Sequence, residues 1–116
     1  MERDELNERD EASREMLLMG LRVKDVRVQF GLSLELFAAR LGVSRSHLCN
    51  VECGRKQPSL EMLAKLASEF DVSMDYLVLG RQTPPQGGFL VFHSDEELLR
   101  ILVLAPKGTR EGEPQG

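Results

Sequence analysis

The sequence predicts an all-α fold: a domain of five short helices followed by a C-terminal strand-plus-helix extension. Apolar residues recur at helical spacing in five consecutive segments between Ser13 and Gly80, each bounded by residues that start or stop helices. A Pro- and Gly-rich stretch, Arg81 to Gly88, then interrupts the pattern and reads as a linker. Beyond it, the apolar run Phe89 to Phe92 suits a strand, and Ser94 with Glu97 forms a capping box for a helix to about Leu104, stopped by Pro106.

The first dozen residues are almost wholly polar, with Leu6 the single large apolar side chain between Met1 and Met16. Residues 1–15 therefore form an acidic extension that either frays or continues as exposed helix. From Ser13 onward Leu17, Met19, Leu21, Val23, Val26 and Phe30 mark helix one, and Gly31 is its stop. Ser33 caps helix two, whose inner face is Phe37, Ala38 and Leu41 and whose end is Gly42. Ser44 caps helix three, Arg45 to about Cys53, with Leu48 and Val51 inward and Gly54 after it. Pro58 and Ser59 open helix four, striped by Leu60, Leu63, Leu66, Ala67 and Phe70, and Ser73 caps a fifth that ends at Gly80. The expected division is thus 1–15 extension, 16–80 domain, 81–88 linker, 89–106 strand-helix element, and a tail over 107–116 of disordered composition.

At 116 residues the chain holds one modest core. No apolar run approaches the ~20 residues that span a bilayer, and the acidic start is the reverse of a signal peptide's, so no membrane partner and a cytoplasmic location are expected. Cys49 and Cys53, four apart in one helix, make no disulfide framework. The net charge of −4 runs against nucleic-acid binding until its distribution is read. Residues 1–20 carry three basic and seven acidic side chains, whereas Arg40 to Pro58 carries four basic residues (Arg40, Arg45, Arg55, Lys56) against Glu52 alone. The positive charge is local.

The stretch Gly31 to Ser59 (GLSLELFAARLGVSRSHLCNVECGRKQPS) resembles the phage-repressor-like (Cro/C1, XRE) helix-turn-helix family. The resemblance covers Leu21 to Gly80 and rests on Ala38 where two helices cross, Gly42 in the turn, Ser44 at the cap, Glu52-x-Gly54, and Pro58-Ser59. It implies a lambda-repressor-like five-helix domain that binds double-stranded DNA and regulates transcription as a repressor, with the helix after Ser44 in the major groove. It further implies that Arg45, Ser46 and Asn50, with His47 beside them, read bases. Arg suits guanine O6/N7 and Asn suits adenine N6/N7, each bidentate pair discriminating by ~1–3 kcal/mol. Ser44, at a helix N-terminus, and the loop residues Arg55, Lys56 and Gln57 would hold phosphates, setting register rather than sequence. Arg27 falls where relatives pair an Arg with the Glu matching Glu52, which implies a structural ion pair. Leu34 stands where the family commonly has a phosphate-gripping Gln, and Leu36 is apolar where the family is usually polar.

No phosphate-binding Gly loop, nucleophile motif or metal-ligand pair is present, so neither enzyme activity, nor a cofactor, nor a metal site is expected. A redox or metal-sensing role for Cys49 and Cys53 would need more convergent ligands than one helix face supplies. The apolar residues Phe89, Val91, Leu98, Leu99, Ile101 and Leu102 need cover, either by dimerisation or by folding back on their own domain. A homodimer reading two half-sites is the expected binding form. The competing reading is a protein-interaction module, an antitoxin or adaptor whose C-terminal segment binds a partner protein.

Overall fold

The computed structural model describes residues 2–81, 91 and 93–103, the side chains of 2–9 excepted. Six α-helices are described: α1 (Glu2–Gln29), α2 (Leu34–Leu41), α3 (Arg45–Glu52), α4 (Leu60–Phe70), α5 (Met74–Leu79) and α6 (Asp95–Leu98), the last running into a π-helical turn, Leu99–Val103. Serine caps set the phase of each helix from α2 onward. Ser33, Ser44, Ser59, Ser73 and Ser94 each accept hydrogen bonds from backbone N–H groups two or three residues on, satisfying donors that a helix start leaves orphaned. At Ser94 the expected capping box forms, with Glu97 reaching back to the Ser94 N–H at 2.9 Å.

α1 begins at Glu2 rather than near Ser13, so the acidic extension is helical. Nothing between Glu2 and Met19 breaks a helix, and the stretch is rich in Glu, Arg and Leu, which favour one. At 28 residues α1 spans roughly 42 Å and is the element on which the others are hung. Gly20 lies inside it for a packing reason: a Cβ there would collide with the Val51 carbonyl oxygen, so its absence lets α1 cross closely over the end of α3.

The core lies between α1 and α2–α5. Val23 and Val26 meet Phe37, Leu48, Leu66 and Leu77, all essentially inaccessible. Phe70 joins α4 to this core, edge-on to Phe30 at 4.8 Å and tilted against Phe37 at 5.1 Å.

A second, smaller cluster corrects the expected extension. Leu98 is fully buried against Leu18 and Leu21, with Leu17, Leu99 and Leu102 partly buried around it. The segment thus folds back along α1, antiparallel to it: Val91 sits at Gln29, His93 at Asp25, Asp95 at Arg22, and Leu98 at Leu18 and Leu21. No strand occurs among the described residues. Of the run expected to form one, Phe89, Leu90 and Phe92 lie outside the described residues, as do 82–88 of the linker and the 107–116 tail. Val91 pairs with a side chain instead, its N–H donating to Gln29 Oε1 at 2.8 Å and its carbonyl accepting from Gln29 Nε2 at 2.7 Å. One glutamine amide supplies both groups that a neighbouring strand would offer. Within the expected helix to Leu104, regular α-helix ends at Leu98 and gives way to the π turn, and Leu104 is outside the described residues.

Candidate nucleic-acid interface

α2 and α3 pack on each other across the turn at Gly42, whose φ of 73° ends α2 in the left-handed conformation. Ser44 then starts α3 and accepts from the His47 N–H at 3.0 Å. This phase turns Leu48, Val51 and Glu52 inward, leaves Arg45 and Ser46 exposed, and leaves His47, Cys49 and Asn50 half-buried. Ser44, Arg55, Lys56 and Gln57 are exposed. The structure therefore brings Arg45, Ser46, His47 and Asn50 onto one short helix, with three further polar side chains in the loop after it.

The helix is fixed from behind. Arg27 of α1 meets the Glu52 carboxylate through both arms of its fork, Nε to Oε2 at 2.8 Å and Nη2 to Oε1 at 3.0 Å, while Nη1 donates to the Leu32 carbonyl at 3.0 Å. One guanidinium thus joins α1, α3 and the α1–α2 turn with the geometry of a bidentate, charge-assisted contact. Gly54, at φ 80°, turns the chain out of α3, and a Cβ there would sit 3.0 Å from Leu17 Cα. A side chain would therefore be both strained and crowded at this position.

Two of these side chains have neighbours, at very different range. Arg45 Nε lies 3.7 Å from Glu35 Oε2, beyond hydrogen-bond range and open to solvent. Asn50 Oδ1 accepts from Arg55 Nη1 at 2.9 Å. Leu34 is half-buried against the core, whereas Leu36 is 58% exposed. Cys49 and Cys53 are free thiols, and no group of three His, Cys, Asp or Glu among the described residues could hold a metal.

Of the side chains that need cover, Leu98, Leu99 and Leu102 find it on α1, while Val91 and Ile101 remain 59% and 46% exposed and Phe89 lies outside the described residues. Sequence reading missed the polar groups that dock this segment. Arg22 is 1% exposed, donates through Nη1 to the Leu77 and Val78 carbonyls at the end of α5, and through Nη2 to Asp95 at 3.0 Å. Asp25 Oδ2 gathers Gln29 Nε2 at 3.0 Å, His93 Nδ1 at 3.1 Å and the Tyr76 hydroxyl at 3.4 Å. Their spacing on α1, at positions 22, 25 and 29, is the periodicity that could have revealed them.

Residues 23–77 match the family described as Helix-turn-helix. The HTH-type transcriptional regulator AnsR of Bacillus subtilis (strain 168) is 42% identical over 69 residues, covering 56% of this chain and 59% of AnsR. The regulator SinR of the same organism is 34% identical over 62 residues, 53% of this chain and 56% of SinR. An HTH-type transcriptional regulator of Archaeoglobus fulgidus is 33% identical over 57 residues, 49% of this chain and 80% of that protein. No solved structure matches. The chain belongs to the helix-turn-helix regulator family of the Cro/C1 (XRE) kind. It spans between half and three-fifths of AnsR and SinR.

Proposed function

We propose that this chain binds double-stranded DNA sequence-specifically, with α3 in the major groove, and acts in the cytoplasm as a homodimeric transcriptional regulator, a repressor. Arg45, Ser46 and Asn50 read base edges with His47 beside them, and Ser44, Arg55, Lys56 and Gln57 hold phosphates. The observation that carries this reading is one helix: α3 is capped by serine, braced by the Arg27–Glu52 fork and presents Arg45, Ser46 and Asn50 outward. A protruding helix of this kind matches the ~12 Å width of the major groove. The homodimer follows from interface size, because one short helix contacts too few bases to select a site among a genome of competitors. Of the residues expected to dimerise, Val91 and Ile101 stay exposed among those described, with Val103 exposed beside them, and they are available for self-association.

Titration with random-sequence duplex at two salt concentrations tests the reading. Affinity should fall steeply with salt, by ~0.9 in logarithmic slope for each phosphate neutralised. Binding that is absent at low salt, or flat with salt, contradicts it. The exposure of Leu36 and the loss of a phosphate donor at Leu34 favour the second reading, a protein-interaction module, and that outcome would select it.

A further inference from the structure

The loop after α3 is built onto a single residue. The backbone N–H groups of Arg55 and Lys56 both donate to the Asn50 carbonyl, at 2.9 and 3.2 Å, and the Arg55 side chain returns to the same residue through Nη1 to Oδ1 at 2.9 Å. Gly54 makes this return possible by its positive φ, and α1 backs the turn through Leu17. The start of the Arg55 side chain therefore has little freedom relative to Asn50.

A guanidinium only donates, so its partner on Asn50 is the oxygen, and the orientation of the amide is set. Oδ1 keeps one lone pair, and Nδ2 has no hydrogen bond to the described residues. In the major groove adenine offers the N7 acceptor beside the N6 donor, which this amide matches with Nδ2 to N7 and N6 to Oδ1. Guanine offers acceptors at both N7 and O6, and O6 would face Oδ1. Rotating the amide to avoid that clash breaks the Arg55 bond.

We infer that Arg55 is a specificity-determining residue that acts through Asn50, orienting its amide for adenine while the remaining guanidinium N–H groups face phosphate. The inference rests on α3 being the base-reading helix, and it departs from a purely sequence-neutral role for the loop. Lys56 is the internal control: it has the same charge, lies one residue away and is exposed, and it makes no side-chain bond to Asn50.

The test selects bound sites from a random duplex library with the full chain and its Asn50→Ala, Arg55→Ala and Lys56→Ala variants. Asn50→Ala should erase an adenine preference at one position of each half-site. Arg55→Ala should erase the same preference, on the order of tenfold in discrimination, and a further Asn50→Ala/Arg55→Ala double variant should lose nothing more at that position. Lys56→Ala should weaken all sequences and leave that preference intact. In the free protein, the side-chain amide of Asn50 should lose NMR order in Arg55→Ala and keep it in Lys56→Ala. The inference is overturned if Arg55→Ala retains the preference that Asn50→Ala removes, if Asn50→Ala removes none, or if the amide's order is indifferent to Arg55. A wild-type chain that enriches no sequence removes the DNA reading itself, and the inference with it; an Asn50 amide still ordered by Arg55 would then identify the DNA reading as the step that failed.

Discussion

Two of the arginines on α1, Arg22 and Arg27, each tie the helix to a different neighbour. At Arg27 three nitrogens are engaged, two of them in a fork on Glu52, whose side chain is 5% exposed. At Arg22 one nitrogen is shared between two carbonyls and one meets Asp95, whose side chain is 37% exposed. Apolar support differs in the same direction: fourteen buried side chains form the core behind α3, and three, Leu18, Leu21 and Leu98, form the cluster under α6. Local stability follows the number of buried contacts, so the C-terminal segment should open on its own while the helix-turn-helix stays folded. α3 is held in place more firmly than the C-terminal segment is held on α1.

The largest test of that contrast is Glu52→Ala, which leaves the mostly buried Arg27 without its partner. A loss of about 3 kcal/mol in chemical denaturation is expected, at the lower end for a broken buried pair because Arg27 keeps some exposure. The Arg27→Ala/Glu52→Ala double variant should lose less than the two singles together. A loss under about 1 kcal/mol would mean that the fork does not hold α3. Leu98→Ala comes next, at about 2 kcal/mol for a fully buried leucine. Here hydrogen exchange is the informative measurement. Amides of 95–103 should lose protection while those of α2 to α4 keep theirs; equal losses in both would make the molecule one cooperative unit.

The helix-turn-helix was legible in the sequence because its punctuation is local. Ser33, Ser44, Ser59 and Ser73 start helices at their own positions, and the i,i+4 or i,i+3 spacing of Phe37 with Leu41, Leu48 with Val51 and Leu63 with Leu66 gives each helix its inner face directly. The docking of the C-terminal segment was not legible for a physical reason. Met16 to Val23 is apolar around most of its circumference, and one helical stripe cannot show that Leu18 and Leu21 serve one cluster while Val23 and Val26 serve another. Gln29 shares the 22, 25, 29 spacing of the docking groups, but that spacing does not show that its amide stands in for a strand by pairing with Val91. The Asn50–Arg55 bond joins residues five apart through a turn whose geometry depends on Gly54 and Leu17, beyond the reach of spacing alone.

Tyr76 touches both regions and sharpens the contrast through pH. It is buried in the main core, and its hydroxyl donates to Asp25, which also receives His93. Burial pushes the phenol well above its ordinary range; the Asp25 carboxylate adds to the rise and the Arg22 guanidinium opposes it. A folded-state pKa raised above the unfolded value gives stability that is whole below the unfolded pKa of ~10 and is lost as pH climbs above it. Stability should therefore fall by up to ~1.4 kcal/mol per pH unit above that point from this group alone. Tyr76→Phe should be less stable at neutral pH and show a shallower alkaline decline. Equal slopes for the two proteins would mean that the hydroxyl is solvated.

The smallest effect concerns the acidic half of α1. Ala12, Ser13, Glu15, Met16 and Met19 line one groove with Gln57, which puts the Glu15 carboxylate beside the loop that carries Arg55 and Lys56. On the proposed reading, phosphate held by that loop would approach the exposed Glu15 carboxylate, a repulsion that ~0.1 M salt, with its ~10 Å screening length, weakens. Removing that charge should act on every sequence alike, since a carboxylate near the backbone reads no base. Glu15→Gln is expected to tighten binding to random duplex about twofold at low salt and by less at high salt, mainly through faster association. A gain confined to one selected site would instead place Glu15 in base recognition, and α1 would then belong to the reading surface.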